Sequence, residues 1–308
     1  MINDNAVKAV FERSLKLKNN ESCLIVTDTI KEPIGRALYE YASKITSKAK
    51  IVVIEPTREH ATEPPREVAE LMLEYDVEIL VTEKSLTHTQ ARRKASSKGV
   101  RIATMPSITE EIANRCLDID YDDLKKASNR LHDKLKDAKQ VRVTTALGTD
   151  IVFEIHRGEF FGKNGGSYDT PGSYGNLPEG EVAFAPKSAE GIVIIDASMA
   201  GLGLLSSPLT VKIENCFAVS ITGERSKELI AKLDAVGEKA YMIAELGIGL
   251  NPKATIIGKI LEDEKVIGTV HVAFGNNCSF GGTNDIPLHL DGVIKDAQIY
   301  VDGKKITI

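Results

Sequence analysis

Through the first third of the chain, short and nearly all-apolar runs alternate with segments of helical spacing. The runs are Cys23–Val26, Ile51–Ile54, Glu78–Val81 and Val100–Ala103. Such short blocks, with little polar content, are the pattern of strands covered on both faces. Between them, Val7, Val10, Phe11 and Leu15 recur every three or four residues, as do Ile34, Leu38, Tyr39 and Ala42, which predicts amphipathic helices. Pro64-Pro65 opens a further helix with Val68, Leu71 and Met72 on its buried stripe. Strand and helix in alternation imply a parallel sheet. A charged helix from Tyr121 to about Lys139, with Leu124, Leu131 and Leu135 as a thin apolar seam, then leads out of this region. The predicted division is residues 1–138, an α/β scaffold domain, and residues 139–308, a β-rich α+β domain.

In the second part strand patterns dominate: Val141–Thr144, Ile151–Ile155, Gly191–Ile195 and Val211–Ile213. One helix is expected from Ser226 to Val236, N-capped by Ser226 and closed by Gly237. Seven glycines between Gly158 and Gly180 leave that stretch too poor in apolar residues for a core. It reads as a surface loop, either a mobile insertion or the wall of a pocket.

Composition narrows the function classes. Thirty-nine Lys and Arg against 44 Asp and Glu give a net charge of −5, the wrong sign for a general nucleic-acid binder. No apolar run reaches the ~20 residues of a membrane span, and the first residues carry no basic-then-apolar leader pattern. Four dispersed cysteines with no C-x-x-C pair argue against a disulfide framework or zinc ribbon and fit a reducing cytoplasm. The turns Thr27-Asp28-Thr29 and Glu55-Pro56-Thr57 lack the glycines of a phosphate-binding loop.

Candidate chemistry gathers in the later segments. In an extended Leu288-His289-Leu290-Asp291, the imidazole and the carboxylate share one face. His271 sits inside the apolar run Val270–Gly275, and Glu245 among Ala244, Leu246 and Gly247. A carboxylate so buried needs a cation, whether a basic side chain or a metal. Glu179 and Glu181 follow the glycine-rich stretch and share a face if extended. Each piece alone has a plain structural explanation: a surface pair, a hydrogen-bonded core histidine, solvated turn carboxylates. Together, imidazole and carboxylate donors in β-like segments suit divalent Zn, Mn, Co or Fe, and three carboxylates favour two ions.

The order N-x-P-x-x-E-V-x-x-x-P, E-x-G, H-x-A-x-G and H-x-D resembles the dinuclear metallo-aminopeptidases of the aminopeptidase T, aminopeptidase S and PepS group, from about Asn176 to Gly292. That resemblance implies metal ligands at Glu181, Glu245, His271, His289 and Asp291, two ions (Zn, Co or Mn), a peptide substrate and a homodimer. Two positions depart from it: Cys278 replaces a tyrosine, and Gly180 stands where a glutamate precedes the first ligand. Glu179 is then the candidate proton acceptor. Cys278 is a candidate pocket residue, its alternative role being a small buried hydrophobe. The same fold group includes ring-cleaving dioxygenases of dihydroxypyridine degradation, whose Fe(II) site of two histidines and an aspartate matches His271, His289 and Asp291. Retention of Glu181 and Glu245 as well makes metal-dependent aminopeptidase the expected activity. The alternatives are an Fe(II) dioxygenase of a hydroxylated pyridine-like substrate, a metal-binding protein without catalysis, and a hydrolase of something other than peptides.

Overall fold

The computed structural model describes residues 1–155 and 160–308. All four apolar runs of the first region form parallel strands, Cys23–Asp28, Ala49–Ile54, Val77–Val81 and Arg101–Thr104. They lie in the order 49–54, 23–28, 77–81, 101–104, followed by a fifth strand, Tyr174–Asn176. The helix Glu32–Ile45, with a proline in its first turn, buries Ile34, Leu38 and Ala42. Gly35 on that helix is required by close approach, since a Cβ there would lie 2.7 Å from the Thr27 Cβ.

The chain divides into two compact units, Met1–Lys125 with Asn164–Glu179, and Lys126–Lys163 with Gly180–Ile308. The expected cut at 138/139 lies inside the second unit, and the glycine-rich stretch belongs largely to the first. Residues 158 and 159 of that stretch lie outside the described residues. The rest is no surface loop: Tyr168, Leu177 and Glu179 are fully buried. A strand needs only backbone to join a sheet edge, and Tyr174–Asn176 pairs in parallel with Arg101–Thr104. Gly175 lies against the buried Tyr168, whose hydroxyl oxygen would stand 2.3 Å from a Cβ at that position. Apolar content was the wrong measure of this segment's burial.

In the second unit, two antiparallel sheets form. Seven strands lie in the order 217–223, 209–214, 186–195, 150–155, 140–144, 298–301, 304–306, with alternating burial along 140–144 and 150–155. Six strands form the other sheet, in the order 203–204, 198–199, 289–294, 270–275, 243–249, 181–184. Its strands 243–249, 270–275 and 181–184 are buried along their whole length. The helix Ser226–Asp234 starts without the expected cap. Arg225 precedes it in the left-handed region at φ 55°, and its guanidinium pairs with Glu228. The charged helix ends at Leu135, short of Lys139.

The parallel sheet carries one charge-bearing side chain with no place to put a charge. Glu78 is fully buried between Leu24 and Ile102, and neither of its oxygens has a hydrogen-bond partner among the described residues. Burial holds its carboxyl well above the ordinary value of 4.5. A proton bound in the fold but lost in the unfolded chain stabilises the fold. That contribution is complete below the ordinary carboxyl range and is lost as pH rises toward the raised folded value. Glu78→Met should therefore stabilise the protein near neutral pH, by about 1–3 kcal/mol. Urea denaturation should show the gain shrinking as pH falls toward the ordinary carboxyl range.

Candidate metal centre

The six-stranded sheet places its polar side chains by register. Across neighbouring strands, Gly247 pairs with His271, Glu245 with Ala273, Ala273 with Asp291, and Gly275 with His289. Glu181 pairs with Gly249. Residues paired this way share a face, so Glu181, Glu245, His271, His289 and Asp291 all project from one side of one sheet. Most of the residues paired with them are glycine or alanine, which leaves room for the larger groups, although His271 also faces Val293. At Gly247 the need is sharpest, because a Cβ there would lie 1.9 Å from the His271 Nε2. A bulge between Ile243 and Glu245 shifts the register ahead of the ligand-bearing part of that strand.

The five predicted residues come together. His271 Nε2 lies 3.2 Å from Glu181 Oε2 and 3.3 Å from Glu245 Oε1. His289 Nε2 lies 3.0 Å from Glu245 Oε2 and 3.3 Å from Asp291 Oδ1. Glu245 therefore stands between the two imidazoles. Among the described residues, three trios offer donor atoms within 4.8 Å of one another: Glu181, Glu245 and His271; Glu245, His289 and Asp291; Glu264, His271 and Asp291. Glu264 is a member that sequence reasoning missed, as is Lys265, whose Nζ lies 2.5 Å from both Glu181 Oε1 and Glu264 Oε1. Both belong to Glu262-Asp263-Glu264-Lys265, a charge run that resembles a solvated turn and yet is buried throughout.

The chemistry of the donors fits a divalent first-row ion. Imidazole is a borderline donor and carboxylate a hard one, a mixture that suits such ions, and every member is largely buried. His289 Nδ1 lies 2.7 Å from the Asn276 carbonyl, so Nδ1–H donates there and Nε2 is the nitrogen turned to the cluster. The Phe280 ring stacks on His289 with centroids 5.5 Å apart, and packs with Phe161, Ala183 and Ala185 as an apolar wall.

Charge in the cluster is mutually compensated. Burial opposes ionisation of His271 and His289, but the carboxylates of Glu181 and Glu245 around the first, and of Asp291 and Glu245 around the second, hold both well above the ordinary histidine value. Burial likewise works to raise Glu181, Glu245 and Asp291. The ammonium of Lys265 and the His271 imidazole beside Glu181, and the imidazoles beside the other two, outweigh it and keep all three below the usual range. Glu264 goes the other way: burial, with Asp291 and Glu181 adding to it against Lys265, pushes it up to about 8. Such a cluster holds protons where a cation would otherwise stand.

Neither Glu179 nor Cys278, the two candidate catalytic residues, is a member of these trios. Glu179 belongs to the first unit, where the Tyr168 hydroxyl lies 3.1 Å from its Oε2 and 2.7 Å from the Asn176 carbonyl. Cys278 opens the short 3-10 turn Cys278–Phe280, half-buried, its backbone N–H donating to Asn276 Oδ1 at 3.1 Å. Phe280, in the same turn, stacks on His289. Since Gly247 makes space for His271, Gly247→Ala should displace the imidazole and weaken metal uptake by about 10–100-fold. Equilibrium dialysis with Zn(II) or Mn(II), alongside circular dichroism to follow the fold, measures this.

Comparison with known proteins assigns the family. A sequence model of NicX, 2,5-dihydroxypyridine 5,6-dioxygenase, matches residues 7–308. The 2,5-dihydroxypyridine 5,6-dioxygenase of Pseudomonas putida is 24% identical over 248 residues, 75% of this chain and 69% of that protein. Aminopeptidase T of Thermus thermophilus is 28% identical over 179 residues, covering 51% of this chain and 43% of that protein. Both folds are shared. The solved structure of the Pseudomonas putida dioxygenase superposes over 99% of this chain and 96% of that one, with a TM-score of 0.84 at 19% identity. For the Thermus thermophilus aminopeptidase the shares are 98% and 96%, with a TM-score of 0.65 at 20% identity. The resemblance to the aminopeptidases is thus real but spans half the chain in sequence, whereas the dioxygenase match runs almost end to end. The chain belongs to the NicX, 2,5-dihydroxypyridine 5,6-dioxygenase, family.

Proposed function

We propose that this protein is a ferrous-ion-dependent ring-cleaving dioxygenase acting on a hydroxylated pyridine-like ring. This replaces aminopeptidase as the leading expectation. His271, His289 and Asp291 would hold the ion, with Glu245 between the two imidazoles. When bound, ferrous iron supplies the one-electron chemistry that lets O₂ react with an electron-rich ring. Both oxygen atoms enter the product as a ring bond breaks, so the overall reaction consumes no external reductant.

The chain's own side chains would prepare that chemistry. The Asn276 carbonyl keeps the His289 proton on Nδ1 and its Nε2 directed at the cluster. The wall of Phe161, Phe280, Ala183 and Ala185 suits a flat ring and keeps water from it, whereas a peptide's charged amino terminus would gain little there. The observation that carries this reading is Lys265. Its ammonium compensates Glu181, leaving the trio of Glu245, His289 and Asp291, with His271 Nε2 3.3 Å from Glu245 Oε1, as the place for a cation.

One feature favours a hydrolase as the second reading. Two trios share Glu245, which is the layout of a bridging carboxylate in a two-ion centre.

Protein loaded with Fe(II) under anaerobic conditions should consume O₂ when given 2,5-dihydroxypyridine or a related hydroxylated ring, followed with an oxygen electrode and by loss of ring absorbance. His289→Ala should lower kcat/KM by at least about a hundredfold. Chelator-sensitive hydrolysis of aminoacyl-p-nitroanilides with Zn or Co, and no O₂ uptake with any such ring, would move the assignment to the hydrolase.

A further inference from the structure

Four consecutive charged residues, Glu262 to Lys265, are buried. Two of them brace the loop before them. Glu262 Oε1 accepts from the Thr255 backbone N–H at 2.8 Å and its hydroxyl at 3.1 Å, and Asp263 accepts from the Ile257 and Gly258 N–H groups, each at 2.8 Å. The other two turn to the metal centre. Lys265 Nζ reaches Glu181 Oε1 and Glu264 Oε1, both at 2.5 Å, and Lys265 has no exposed surface.

We propose that the Lys265 ammonium takes the place of a second divalent ion beside Glu181 and so fixes the centre at one ion per chain; this rests on the single-ion reading above. Two trios meeting at one carboxylate would otherwise accommodate two ions. A cation entering the trio of Glu181, Glu245 and His271 meets a like charge already bonded to one of its ligands. Few mobile ions reach a buried site to screen that repulsion. Moving Lys265 aside would strand an ammonium in the interior, which is costlier still. Nor is the amine turned to serve as a ligand, because its Nζ is held by Glu181 Oε1 and Glu264 Oε1, each at 2.5 Å. Lys265 is a positioning residue: it touches Glu181 and not the reacting atoms.

Titration of the metal-free full-length protein with Mn(II), read by calorimetry and electron paramagnetic resonance, tests this without any assay of activity. The wild type should saturate at one ion per chain, with the hyperfine pattern of an isolated ion. Lys265→Met should take up a second, binding it at least about a hundredfold more tightly than any second ion in the wild type, with the broadened signal of a coupled pair. Lys265→Arg keeps the charge and should stay at one, and Glu181→Gln added to Lys265→Met should return the count to one. A folded Lys265→Met protein that still saturates at one ion overturns the inference. If that variant does not fold, Lys265→Gln takes its place. A tight second ion in the wild type, with Lys265 present, overturns it in either case. The two failures stay distinct. A one-ion wild type that never consumes O₂ defeats the functional reading alone, whereas an O₂-consuming enzyme whose count ignores Lys265 defeats this inference alone.

Discussion

A carboxylate removed from water needs positive charge beside it, and one sheet face in this protein carries Glu181, Glu245 and Asp291, with Glu264 alongside. The fold answers that demand with three basic groups, His271, His289 and Lys265, each within 3.3 Å of a carboxylate oxygen. Two of the three are imidazoles, which can give up their protons to a metal ion. The third is an ammonium that stays. This asymmetry gives the centre its character. Part of the negative charge is permanently neutralised by the chain, and the remainder is available to a cation from solution.

The sheet makes that crowding possible. Glycine and alanine lie opposite the large polar groups across the strands, Gly247 against His271 and Ala273 between Glu245 and Asp291. The small residues are as much a part of the centre as the donors, since any side chain at 247 would occupy the imidazole's volume. Phe280 fixes the outer ring by stacking, and Asn276 fixes its proton. A sheet holds several donors at set separations more firmly than loops would.

Much of this was legible from the amino-acid order, for identifiable reasons. The parallel strands announced themselves because strands covered on both faces are apolar without interruption, as Cys23–Val26 is. His289 and Asp291 were legible through the two-residue repeat of a strand, and Glu245 and His271 because a titratable group among apolar neighbours is conspicuous. Lys265 and Glu264 were not, since a run of four charges has the composition of a solvated turn and only tertiary packing buries it. The segment around Tyr174 was missed for the opposite reason. Glycine-rich sequence hides a strand whose contribution is backbone pairing, and the division of the chain into units depends on where that pairing occurs. The motif order brought both the aminopeptidases and the dioxygenases into view; retention of Glu181 and Glu245 tipped the expectation to the aminopeptidase, whereas the family match favours the dioxygenase.

Position of the bound ion decides the matter most directly. Crystals of the protein reconstituted with Fe(II) under anaerobic conditions, measured on both sides of the iron absorption edge, locate every iron atom. The account predicts a single anomalous peak within coordinating distance of His271 Nε2, His289 Nε2 and Asp291, with Lys265 still bonded to Glu181. Two peaks flanking Glu245, with the lysine displaced, would contradict it.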